Sequence, residues 1–108
     1  MKRHFVLAVL VFATCATTVR AQYMITGVGT APCAQWVAAR RDRNAGGFEQ
    51  WVVGFLSGVG FAKSNEGIDP LRTMNAEGAW NWIDGYCRDH PIGNIAEAAG
   101  AFAQAHPR

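Results

Sequence analysis

The sequence predicts an all-α fold, a small four-helix domain closed by one disulfide. Three observations carry this expectation. Apolar residues recur at spacings of three and four in four separate segments, and no run alternates with the period of two that a half-buried strand needs. Capping residues, glycines and prolines stand at the ends of those segments. Two cysteines remain once an N-terminal targeting segment is set aside.

The targeting segment is read from its order of residue types. Met1-Lys2-Arg3-His4 is a basic start, Phe5 to Ala13 is apolar, and Val19 and Ala21 are small residues just before Gln22. That order is a secretory signal peptide over residues 1–21. Its apolar run is shorter than the roughly 20 residues a bilayer span requires. Residues 22–108 are then one domain, expected in the periplasm and without stable membrane insertion. Loss of Lys2, Arg3 and Arg20 changes the net charge from +2 to −1. The basicity belongs to the leader, so nucleic acid is not an expected partner. Arg40-Arg41-Asp42-Arg43 is the one remaining basic cluster, read as a solvated helix end. Cys15 leaves with the leader, and Cys33 and Cys87 form an even pair in an oxidising compartment. A disulfide between them closes a long loop and contributes about 4 kcal/mol in the chain-entropy model. The net stability expected of so small a domain is only about 5–8 kcal/mol.

Each helix has its own signals. Tyr23 to Gly29 is a lead-in broken by Gly27 and Gly29, and Thr30 is placed to cap the first helix with Pro32 in its first turn. Cys33, Trp36, Val37 and Arg40 follow on one helical face, and Asp42 to Gly47 reads as a loop. The second helix is expected from about Phe48 to Lys63. Phe48, Trp51, Val52, Phe55, Val59 and Ala62 share one arc, while Val53 and Phe61 fall outside it. Being apolar nearly all round, this helix is expected at the centre, with Gly54 and Gly58 as a notch for a close neighbour. Asn65 to Met74 is the longest loop, marked by Gly67 and Asp69-Pro70. Asn75 caps a third helix over Ala76 to Asp89, with Ala79, Trp80, Ile83, Tyr86 and Cys87 on one arc, and Pro91 ends it. Asn94 with Glu97 three residues on forms a capping box for a fourth helix whose inner face is Ile95, Ala98, Ala99 and Phe102.

The search for chemistry returns no catalytic, cofactor-binding or metal-ligating constellation. Gly27-Val-Gly29 and Gly58-Val-Gly60 lack the third glycine and the strand of a dinucleotide loop. Ser57 has no nucleophile elbow around it. No Cys-x-x-Cys pair is present. His90 and His106 each precede a proline with no second ligand one turn away, and read as surface residues. Asp84 and Asp89 lie on different helical faces and do not make an acid–base pair. The enzyme classes therefore have no footing. The aromatic content is more informative. Val53, Phe61 and Trp82 lie off the inner arcs and are the candidate protein-binding residues. The competing reading of Trp82 is half-buried packing beside Tyr86.

The assembled motifs resemble a known group. Gly27-x-Gly29 leads to Cys33-x-x-Trp36. Glu49-Gln50-Trp51-Val52-Val53-Gly54-Phe55-Leu56-Ser57-Gly58 follows, then Asp69-Pro70-Leu71 and Trp80-Asn81-Trp82-Ile83-Asp84-Gly85-Tyr86-Cys87, with Pro91 and an alanine-rich helix last. This order resembles the HdeA/HdeB-like periplasmic helical proteins, and is also similar to the Tai-type immunity proteins of type VI secretion. The first resemblance implies an acid-stress chaperone, often dimeric, that holds unfolding clients. The second implies inhibition of a cell-wall amidase effector through a protruding loop. Either way the expected partners are other proteins, as clients, as one cognate enzyme or as a second copy.

Overall fold

The computed structural model describes residues 23–108, so the signal-peptide expectation lies outside the described residues. A 3-10 turn at Gly27–Thr30 opens the fold. Four helices follow, α1 (Cys33–Arg41), α2 (Gly46–Ala62), α3 (Ala76–Asp89) and α4 (Ile95–Ala105), with a further 3-10 turn at Ser64–Glu66. The Cys33–Cys87 disulfide is present, with its Cα atoms 4.9 Å apart. Among the described residues there is no strand, only an isolated bridge between Pro32 and Asn94.

The two capping expectations at the later helices hold in atomic detail. Asn75 Oδ1 accepts the Gly78 N–H at 2.9 Å. Asn94 Oδ1 accepts from Glu97 N at 2.8 Å, and Glu97 Oε2 accepts from Asn94 N at 3.2 Å. The start of α1 differs from expectation. Thr30 does not cap it; its hydroxyl donates back to Gly27 O at 2.9 Å. Pro32 is the extended residue before the helix, not part of its first turn. The reason is tertiary. The free Cys33 N–H donates to Gly93 O at 2.8 Å, and Ile95 N donates to Ala31 O at 3.0 Å. The chain entering α4 supplies what a capping side chain would have supplied.

Helix α2 begins two residues before the expected Phe48 and stops at Ala62, with Lys63 as its C-cap. The turn before it is made by Arg43 at φ 55°, so Gly46 and Gly47 are left free to join the helix. Nor is α2 central. Only Val52 and Leu56 are fully buried in it, and Ala62 of its expected inner arc is exposed. A Cβ at Gly54 or Gly58 would meet nothing within 4 Å, so no neighbour packs into a notch there. A close ring contact exists elsewhere: Trp51 lies directly over Gly29 and leaves no room for a side chain at that position. Trp51 Nε1 also donates to Thr26 O at 3.2 Å, which pins the lead-in onto α2.

The centre is occupied by α4. Like α3 it touches the other three helices, and it buries more side chains than any of them, Ile95, Ala98, Ala99 and Phe102. Its alanines explain the position, because short side chains let neighbouring backbones approach closely. Around it stand Cys33 and Trp36 of α1, Val52 and Leu56 of α2, and Ala79, Ile83 and Cys87 of α3. Trp80 and Tyr86 flank this cluster as half-buried packing. The long loop is tied down by the C-terminus, since Asp69 N donates to Pro107 O at 2.8 Å, and Pro70 is buried.

Candidate protein-binding surface

The surface is built around the chain between α3 and α4. Proline cannot continue a helix, and His90 ahead of it leaves helical geometry at φ −127°, ψ 63°. Gly93 N then donates to His90 O at 2.9 Å and closes the turn. A side chain at Gly93 would press on Glu97 Oε2 at 3.0 Å and His90 O at 3.2 Å, so the tight turn calls for glycine. On one side the turn follows Cys87 and its disulfide to Cys33. On the other, Gly93 O and Ile95 N are bonded to the start of α1. Both ends are therefore fastened to one helix terminus. At the tip Ile92 is 100% exposed.

Beside the tip runs a ladder of rings on α3. Trp82 stacks on Tyr86 at 5.8 Å, and Tyr86 on His90 at 4.1 Å with 15° between planes. The His90 ring is held further by Nδ1, 2.8 Å from Tyr86 O. Tyr86, Asp89, His90, Pro91, Ile92 and Glu97 border a groove of about 610 Å³. Its apolar surface comes from the tyrosine ring, the proline and Ile92. Its only carboxylates are Asp89 and Glu97, and no lysine or arginine lines it.

A second polar cluster holds α1 against α3. Asp84 Oδ1 accepts from Trp36 Nε1 at 2.8 Å and from Arg40 Nε at 3.0 Å, and Asp84 Oδ2 accepts from Arg40 Nη2 at 3.0 Å. Arg40 Nη2 also donates to Asn81 Oδ1 at 3.0 Å, and Nη1 lies 3.5 Å from Glu49 Oε2. The guanidinium rests near the Trp36 and Trp80 rings, at 5.9 and 6.0 Å from their centroids. Its pKa is raised above the ordinary arginine value, first by the hydrogen bonding to Asp84 and further by the Asp84, Glu49 and Glu77 charges, with burial opposing. Arg40 is thus a strut between helices, which corrects its reading as part of a solvated helix end. Asp84 is committed to it.

The three residues expected to bind protein are not brought together. Phe61 is 87% exposed near the end of α2 and lines a separate hollow with Ile68 and Leu71. Val53 is half-buried on the same helix. Trp82 packs inward, edge-on to Phe102 at 5.5 Å and to His106 at 5.7 Å, with part of its surface bordering a groove beside Tyr86. His106 is half-buried against Phe102 and Trp82, not a free surface residue. Ile92 was missed by periodicity because it belongs to no helix. The signal that marks it is an apolar residue between Pro91 and Gly93, in a turn with no core face to occupy. The Arg40 strut had a signal as well, since an arginine on the apolar arc of α1 requires a partner.

Among the described residues no group of three or more His, Cys, Asp or Glu side chains is placed to hold a metal ion. No helix among them is long and apolar enough to cross a membrane. Comparison of the chain with family models, with curated proteins and with solved structures finds no match.

Proposed function

We propose that the chain is a non-enzymatic, periplasmic protein-binding domain whose contact centres on the Pro91–Gly93 turn. The observation that carries this reading is Ile92, fully exposed at the tip of a turn fastened at both ends. A large apolar side chain in water gains nothing for folding, and one held in a fixed geometry is ready to enter a partner's pocket with little ordering entropy to lose. This form of binding suits one folded partner. It agrees with what the Tai-type resemblance implies, an inhibitor that engages a cell-wall amidase through a loop.

The acid-stress chaperone is the second reading, and Asp84 is the observation that favours it. One carboxylate receives three hydrogen bonds that join α1 to α3. The joint between the two helices therefore depends on charge, and its loosening in strong acid is what this reading requires.

One pair of assays separates the two. The oxidised chain and its Ile92→Asp variant are used to capture partners from a periplasmic extract at pH 7. The chain is also followed by near-ultraviolet circular dichroism from pH 7 to pH 2 with an acid-labile client present. A stoichiometric folded partner bound about thirtyfold more weakly by the variant, as for a loss of about 2 kcal/mol at a central contact, supports the fixed-turn reading. Loss of tryptophan signal in step with client protection supports the chaperone. Capture indifferent to Ile92→Asp would remove the turn-centred reading, and no captured partner together with no client protection would remove both.

A further inference from the structure

We infer that the groove beside Ile92 takes a basic-apolar segment of a partner protein, an apolar side chain flanked by lysine or arginine. The inference rests on the protein-binding reading above and adds the chemistry of the occupant.

Three features of the groove point to this occupant. Tyr86, Pro91 and Ile92 give it an apolar wall, and its volume of about 610 Å³ is enough for several side chains. Asp89 and Glu97 place two carboxylates on its border with no lysine or arginine among the lining residues. Asp89 takes part in none of the ion pairs among the described residues. Glu97 spends its hydrogen bonds on the uncharged Asn94 and likewise takes part in none of those ion pairs. The basic residues near this end lie on the other side of α3, where Arg40, Arg41 and Arg88 outnumber the one carboxylate, Asp84, in lining the groove against α1. The C-terminal part of α3 therefore separates a basic side from an acidic one, and the exposed Ile92 stands on the acidic side. An arriving acidic segment meets like charge there, whereas a cationic one gains on encounter and in register.

The test uses the isotope-labelled, oxidised chain at pH 7 and two capped nonapeptides with the same leucines. In one peptide the leucines are flanked by arginine and lysine, in the other by glutamate and aspartate. Amide shifts are followed by nuclear magnetic resonance. The expected result is saturable shifts confined to the Tyr86–Glu97 region with the basic peptide alone. In the Asp89→Lys variant the basic peptide should bind about five- to tenfold more weakly, as for the loss and reversal of one exposed charge contact. The Asp89 side chain makes no hydrogen bond or ion pair with the described residues, so this variant keeps its fold, which its unshifted core amides would show. Equal shifts with both peptides, shifts elsewhere, no shifts with either, or indifference to Asp89→Lys would each overturn the assignment. A captured partner that depends on Ile92 but presents an acidic surface would overturn it too, while leaving the protein-binding reading intact. Failure of that reading is seen separately, as capture indifferent to Ile92→Asp.

Discussion

Asp84 shows how one side chain can set the geometry of two helices. It lies on α3 close to the core and accepts an indole N–H and two guanidinium N–H groups from α1. Its side chain is 22% exposed, so these bonds are partly shielded from water. Asparagine at this position would keep the shape but lose the charge and one acceptor. Asp84→Asn should destabilise the fold by about 1.5–3 kcal/mol, the range for losing hydrogen bonds to a charged group. Urea unfolding of the variant and the wild type, read by tryptophan fluorescence, checks this. A loss below the error of the method would mean that the pair is as weak as an exposed one. The raised pKa of Arg40 also fixes a direction in pH. A folded value above the unfolded one gives stability that is complete below the ordinary arginine value and is lost only as pH rises through the folded value. Between pH 7 and 10 the titration of Arg40 contributes no change.

At the scale of the helices, the four starts are handled in two ways. Helices α3 and α4 carry their own caps, in Asn75 and Asn94. Helices α1 and α2 have no capping side chain and begin where the chain is held by other contacts. This difference predicts different sensitivities. Asn94→Ala should cost about 1 kcal/mol and, because Asn94 follows the Pro91–Gly93 turn, should raise hydrogen exchange at Ile92 to Glu97 first. Thr30→Ala should change stability little, since its hydroxyl serves only an exposed 3-10 turn. Exchange rates measured on both variants test the pair together. Equal losses would show that the α1 start depends on Thr30 after all.

For the molecule as a whole, the disulfide joins stability to the geometry of the Pro91–Gly93 turn. It connects the first residue of α1 to the last turn of α3, a sequence separation of 54. The stabilisation expected from closing such a loop, about 4 kcal/mol, is a large part of what a small domain has. Alkylation without reductant should modify neither Cys33 nor Cys87. After reduction and alkylation the thermal midpoint should fall steeply, and Ile92-dependent capture should weaken further than the midpoint alone explains. Mass spectrometry, calorimetry and the capture assay give the three readings. A reduced protein that binds as well as the oxidised one would show that the turn is ordered without the bond.

The helix count, the two asparagine caps, the stop at Pro91 and the pairing of Cys33 with Cys87 were determined by the sequence alone. These are local choices, settled within one or two turns or by cysteine arithmetic. The inner faces of α3 and α4 were equally legible, because a 3.6-residue period leaves one solution for a short amphipathic helix. Tertiary structure decided the rest. Helix α2 is more apolar than α4, yet α4 lies at the centre, because interior position depends on how closely backbones can approach as well as on hydropathy. Its alanines allow that approach. The start of α1 was decided by Gly93 from across the chain, the place of Arg40 by Asp84, and the crowding at Gly29 by Trp51. Ile92 stands on the same divide. Its type and its turn were visible in the sequence, but the fastening that presents it exists only once α1, α3 and α4 have met.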